Sequence, residues 1–291
     1  MTTSARLRQR SEDLAAPLPP LLAAAEHLAH TVLLGAHGRR RAGMGDEFWQ
    51  YRPARPGDEA RMIDWRRSGR SDAHFVREKE WQAAQSVHIW VDEAQSMDFS
   101  GQRDGASKAD RARLLALAMS VLLIRGGERV ALANLGTPPR SSELQLLRIA
   151  EAFTRESERP DYGAPEVRGM LPHARALFIS DFLGDLDALS AQLTKAADRG
   201  VKGVVFQVLD PQEEAFPFDG RTIFESMGRS LSHETLKAGE LRTRYLDRLA
   251  ERKDALATLA RRTGWLYDCH HTGDSPQSAL LWLYGALERK R

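Results

Sequence analysis

At 291 residues with a 42% hydrophobic share, the chain can bury a sizeable core and is not composed like a disordered protein. Its 42 basic and 40 acidic residues leave a formal charge of only +2, which gives no global reason to expect a nucleic-acid binder. The single cysteine, Cys269, excludes an intrachain disulfide and any cysteine-cluster zinc site, and it fits a reducing, cytoplasmic compartment.

Residues 1–34 read as an N-terminal helical segment. Pro19 and Pro20 suit a helix start, and Leu21, Leu22, Ala25, Leu28, Ala29, Val32 and Leu33 recur at helical spacing. No secretory leader is expected, because Glu12, Asp13 and Pro17 interrupt the apolar run that would follow Arg6, Arg8 and Arg10. The longest apolar stretch, 114–124, is about half of the ~20 residues a bilayer span needs, so it predicts a buried helix.

Residues 35–85 change in character. Glycine, proline, arginine, acids and tryptophan dominate without a sustained period, which predicts an irregular subdomain with short strands. From residue 86 strands and helices alternate. Strands are expected at 86–92, 129–135, 176–181, 202–209 and 265–270. Helices are expected at 107–125, 141–154, 186–199, 234–262 and 276–288. An excursion rich in Phe, Pro and Gly near 211–230 has room for a short strand pair, and Cys269 reads as a small buried hydrophobe. This order predicts an α/β fold over 86–291: a mostly parallel, doubly wound, Rossmann-like sheet covered on both faces. Ligands of such sheets bind beyond the carboxyl ends of the strands, where Asp92 and Asp181 fall.

The stretch Asp92-Glu93-Ala94-Gln95-Ser96 resembles the Asp-x-Ser-x-Ser opening of the metal site in von Willebrand factor A domains. That resemblance implies a hard oxygen site for Mg²⁺ built on Asp92, Ser96 and Asp181. The sequence departs from the pattern at Ala94, which lacks a hydroxyl, and no threonine of an intermediate loop is assignable. Two readings stay open: a weakened Mg²⁺ site, or strand-end residues of a domain that has lost its ion.

The preceding block is more specific. Gly38-Arg39-Arg40-Arg41, the run Asp46-Glu47-Phe48-Trp49-Gln50-Tyr51-Arg52-Pro53, the Pro56-Gly57-Asp58 turn, Ile63-Asp64-Trp65-Arg66 and Phe75-Val76-Arg77-Glu78 occur in order. Together with 209–214 and Pro217-Phe218, they resemble the bacterial domain-of-unknown-function family numbered fifty-eight, von Willebrand A-like proteins associated with MoxR-type AAA+ ATPases. The resemblance implies a non-enzymatic protein-binding module that acts with such an ATPase in chaperone-like maturation or assembly of a client. Arg39, Arg40, Arg41, Trp49, Arg52, Trp65 and Arg66 are the candidate partner-binding residues, since arginine and tryptophan dominate interface energetics. The alternative for the same residues is a rigid subdomain held by internal Arg–carboxylate and Trp contacts.

Two other function classes remain alternatives. Strand-end carboxylates could serve a Mg²⁺-dependent hydrolase, although no nucleophile or phosphate-binding lysine motif accompanies them. The Arg/Trp block could bind nucleic acid. However, it sets eleven Lys/Arg against eight Asp/Glu, and a phosphate-tracking groove is rarely so diluted.

Overall fold

The structure, a computed structural model, describes residues 20–36, 48–54, 63–69, 74–79, 84–102, 105–155, 158–229 and 232–288. The chain divides into two compact units. One comprises Met1–Leu33 with Gln85–Arg291, and the other Leu34–Ala84.

In the smaller unit, β1 (Phe48–Pro53) pairs antiparallel with β2 (Phe75–Lys79). A single helical turn, α2 (Trp65–Ser68), lies between them in sequence. It is tied to β2 by the Ser68 hydroxyl, which accepts from Phe75 N at 2.9 Å and donates to Asp64 O at 2.8 Å.

In the larger unit, five strands form one sheet: β3 (Ser86–Val91), β4 (Arg129–Leu132), β5 (Arg175–Ser180), β6 (Lys202–Leu209) and β9 (Leu266–His271). They lie in the order β4-β3-β5-β6-β9, and every pairing is parallel. The strands alternate strictly between two apolar layers. Val87, Ile89, Leu177, Ile179, Val204, Phe206 and Val208 face one side; Trp90, Ala176, Phe178 and Val205 face the other. Both sides are covered, so the central strands β3, β5 and β6 are buried over nearly their whole length, whereas the edge strand β9 is mostly half-buried.

Helices α1 (Pro20–Ala36), α3 (Lys108–Arg125), α4 (Glu143–Ala152) and α8 (Pro276–Glu288) bury their apolar residues in the first layer. Helices α5 (Leu186–Asp198) and α7 (Ala238–Thr263) cover the second. The N-terminal helix expected as a separate segment is therefore part of the sheet's core, with Ala25 and Ala29 fully buried. Helix α3 starts with a capping box: Ser107 accepts from Asp110 N, and Asp110 accepts from Ser107 N. Asp185 caps α5 by accepting from Asp187 N at 2.8 Å, as an acidic helix start predicts.

Three expectations need correction. The strand expected at 129–135 ends at Leu132, and Ala133–Leu135 form a 3-10 helix. The long helix begins at Ala238 rather than 234, because Ser232–Thr235 forms β8 against β7 (Thr222–Glu225) in an antiparallel hairpin. Those hairpin hydrogen bonds outweigh the helical propensity of four residues. Cys269 is only half-buried, since β9 is the edge of the sheet. A five-residue helix, α6 (Pro211–Ala215), precedes the hairpin, and Phe216 and Phe218 pack with Phe224 and Tyr245 beneath it. Among the described residues no helix is long and apolar enough to cross a membrane.

Arg111, one turn into α3, ties down the segment after β9. It donates to Thr272 O and Asp274 O, both at 2.7 Å, and to His270 Nε2 at 2.8 Å. His270 is 5% exposed and stacks on Phe206, so its acceptor nitrogen must stay unprotonated. Burial and then Arg111 push its pKa from 6.5 down to about 4. The unfolded chain takes up this proton and the folded one does not, so stability falls as pH drops from 6.5 to about 4 and levels off below. We expect this residue to contribute up to about 3 kcal/mol to that loss. Denaturant melts of wild type and His270→Gln between neutral and acid pH check it: the slope in the wild type should exceed that of the variant.

Candidate functional site

The strand order reverses between β3 and β5, because β4 lies on one side of β3 while β5, β6 and β9 follow on the other. The carboxyl ends of β3 and β5 therefore border the crevice where doubly wound sheets bind ligands. Asp92 follows β3, and Ser180-Asp181 closes β5. All three are buried.

Asp92 continues the strand ladder, donating from its N to Ile179 O at 2.9 Å. Its carboxylate is surrounded by donors. Ala94 N lies 2.8 Å from Oδ1, Ser180 Oγ lies 2.7 Å from Oδ2, and Gly163 N also donates to it. Burial raises the Asp92 pKa, the hydrogen bonds oppose that, and nearby Asp181 adds to it. Gly163 belongs to the intermediate loop that yielded no threonine in sequence, and it supplies a backbone N–H instead of a hydroxyl. This loop sits on the turn after β3: Gln95 N and Ser96 N donate to Pro160 O and Asp161 O at 2.9 and 3.0 Å. Ser96 is 8% exposed, and its hydroxyl has no hydrogen-bond partner among the described residues.

Asp181 faces a different partner. The Lys108 ammonium lies 2.9 Å from Asp181 Oδ2 and 2.6 Å from Glu213 Oε1, and Lys108 is only 1% exposed. Lys108 is the first residue of α3, Asp181 opens the β5–α5 connection, and Glu213 lies in α6 just after β6. One ammonium thus joins the connections leaving three strands. Burial opposes its charge, but Asp181 and Glu213 outweigh that and hold its pKa above the ordinary lysine value. Burial raises the Glu213 carboxyl in spite of the lysine beside it.

The remaining oxygens are also engaged. Asp181 Oδ1 accepts from Leu183 N at 3.0 Å, and Glu213 Oε2 accepts from Asp210 N at 2.8 Å. Asp210 in turn accepts from Gln212 N, Gly101 N and Thr272 Oγ1. Gln207 donates to Asp181 O at 2.8 Å and accepts from Tyr267 OH at 2.7 Å, fixing the backbone at the site. Phe182, immediately after Asp181, adopts a left-handed backbone with φ 49°, which a bulky residue does only when its surroundings hold it there. Tyr162, 40% exposed, borders the group, and its phenol pKa is raised by burial, then by Asp181 and Asp161. Among the described residues no set of three or more His, Cys, Asp or Glu side chains is arranged to hold a metal ion.

The structure therefore brings Asp92 and Asp181 to one crevice, with Ser96 in the 3-10 turn Gln95–Asp98 beside it. In the smaller unit, Trp65 is 59% exposed, stacks edge-on to His74, and precedes exposed Arg66. Arg39, Arg40 and Arg41, and the side chains of Trp49 and Arg52, lie outside the described residues.

The model of the protein family of unknown function DUF58 matches residues 50–255, well over half the chain. The chain belongs to the DUF58 family. The match runs from the strand pair of the smaller unit into α7, and so takes in Trp65, Asp92, Lys108, Asp181 and Glu213. This DUF58 protein is 27% identical over 226 residues to uncharacterised proteins of Mycobacterium bovis and Mycobacterium tuberculosis, covering 73% of this chain and 70% of theirs. Among solved structures it resembles the conserved hypothetical protein BatB of Bacteroides thetaiotaomicron, with TM-score 0.41, 14% identity and coverage of 70% of this chain and 98% of that one. It also resembles an aerotolerance-related membrane protein of Bacteroides fragilis, with TM-score 0.40, 14% identity and the same coverage. At that level neither structure bears on what this DUF58 protein does.

Sequence reasoning missed Lys108 and Glu213 as members of the site. Glu213 was visible as part of the 209–214 motif, but Lys108 looks like an ordinary first-turn lysine. One signal was available: a cation at a helix N-terminus opposes the helix dipole, so a lysine there is better placed when a carboxylate lies beside it.

Proposed function

We propose that this DUF58 protein is a non-enzymatic protein-binding module that acts with a MoxR-type AAA+ ATPase in the chaperone-like maturation or assembly of a client. The observation that carries this reading is the exposed Trp65-Arg66 pair on a compact unit of its own. A tryptophan that spends most of its area on water, next to an arginine, has the composition of a binding hot spot. Membership of the DUF58 family is consistent with it. The larger unit is read as a von Willebrand A-like domain, on the strength of its parallel sheet and of Asp92 and Ser96 at the switch-point crevice.

The test is co-purification with the MoxR-type ATPase of the same genome in the presence of ATP. Wild type should retain the ATPase, and Trp65→Ala should weaken retention by roughly 30-fold, the loss expected of a hot-spot side chain. Its melting temperature should stay where it is, because an exposed side chain contributes little to the core. Failure of the wild type to retain the ATPase would remove the reading.

A further inference from the structure

We propose that Lys108 is the resident cation of the strand-end crevice: its ammonium fills the place among the acidic side chains that a divalent ion would take, and the site works without metal.

Three observations support this. First, the ammonium bridges Asp181 and Glu213 at 2.9 and 2.6 Å, in a position 1% exposed. An ion such as Mg²⁺ needs several oxygen ligands and keeps its own waters, and a buried ammonium in contact with two of the acids leaves no room for either. Second, the oxygens a metal would recruit are already committed. Both Asp92 oxygens accept from Ala94 N and Ser180 Oγ, Asp181 Oδ1 accepts from Leu183 N, and Glu213 Oε2 accepts from Asp210 N. The hydroxyl left without a partner is Ser96 Oγ, and one neutral ligand does not hold a hard divalent ion. Third, the lysine does the structural work of a bound ion, since it joins the connections leaving β3, β5 and β6 through one charge. A tethered cation cannot dissociate, so the geometry of this end of the sheet does not vary with metal supply. The inference does not depend on the partner proposed above.

The experiment uses the full chain and Mn²⁺, whose free and bound forms differ in their paramagnetic resonance signal. For wild type we expect an undiminished free Mn²⁺ signal, and the same melting temperature in millimolar Mn²⁺, millimolar Mg²⁺ or chelator. Lys108→Ala vacates the space between the carboxylates, so it should melt lower in chelator, take up Mn²⁺, and regain several degrees on doing so. Saturable Mn²⁺ binding by wild type that is lost in Asp181→Asn would overturn the proposal. A folded Lys108→Ala that ignores metal would also overturn it, leaving an ordinary ion pair. If Lys108→Ala does not fold, the wild-type titration alone decides, with Asp181→Asn as its control.

Discussion

Lys108→Met is expected to destabilise the protein by about 3–5 kcal/mol, the cost of leaving buried charges without their partner. The substitution keeps the apolar stem of the side chain and removes the terminal ammonium with its charge and hydrogen bonds. Buried Asp181 and partly buried Glu213 then face each other without a cation between them. Each can escape only by taking up a proton or by moving the connection that carries it. In a unit of this size such a loss lowers the melting temperature by roughly 10 °C. The triple variant Lys108→Met, Asp181→Asn, Glu213→Gln separates charge from packing. If the damage is electrostatic, removing the two acids should restore most of the stability, since buried ion pairs replaced by neutral groups are often nearly neutral in energy. Thermal or denaturant melts of the single and triple variants check this. Equal losses in both would mean that the hydrogen bonds made by the ammonium, and not the uncompensated acids, hold the site.

The second large effect is at Gly163. A Cβ placed there would lie 2.1 Å from Asp92 Oδ1 and 2.7 Å from its carboxyl carbon. Asp92 is held from the other side by Ser180 and Ala94, so it cannot withdraw without breaking those bonds. The loop cannot lift without releasing Gln95 N and Ser96 N from Pro160 O and Asp161 O. Gly163→Ala should therefore cost about 3 kcal/mol, the upper end of ordinary overpacking. Gly285→Ala is the matched control: it lies inside α8 with open space where the Cβ would go. There the gain in helix propensity should stabilise the protein by about 0.5–1 kcal/mol. Opposite signs in the two melts are the expected result, and a harmless Gly163→Ala would mean that the loop is free to move away from Asp92.

Much of the larger unit was legible before any coordinates. The expected bounds of the 202–209 strand and the 276–288 helix coincide with β6 and α8. The strand is a short apolar run and the helix an apolar-rich segment, and Gly200, Pro211 and Pro276 mark their ends. The hairpin after α6 was less legible, because four polar residues at 232–235 fit the start of a helix as well as an edge strand. Pairing with β7 settles them, and pairing is not a local property.

The placement of the acids followed the same division. Local pattern alone put Asp92 and Asp181 at the carboxyl ends of strands, because an apolar run ending in an acid marks where a buried strand meets water. That these two ends are neighbours is a matter of strand order, and β4-β3-β5 is decided by which surfaces bury best together. Strand parity then separates their surroundings. Ser180 shares the Trp90 side of the sheet with Asp92, whereas Asp181 turns to the side covered by α3. The identity of the cation lies deeper still. Lys108 is 73 residues from Asp181 and 105 from Glu213 in sequence. Only the docking of α3 across the sheet brings its first residue to the crevice. The sequence by itself determined the order of elements, the apolar faces and the acids at strand ends, all of which follow from local period and composition. The tertiary structure decided which acids meet and that a lysine stands between them, because burial energy is gained only when distant surfaces close over one another.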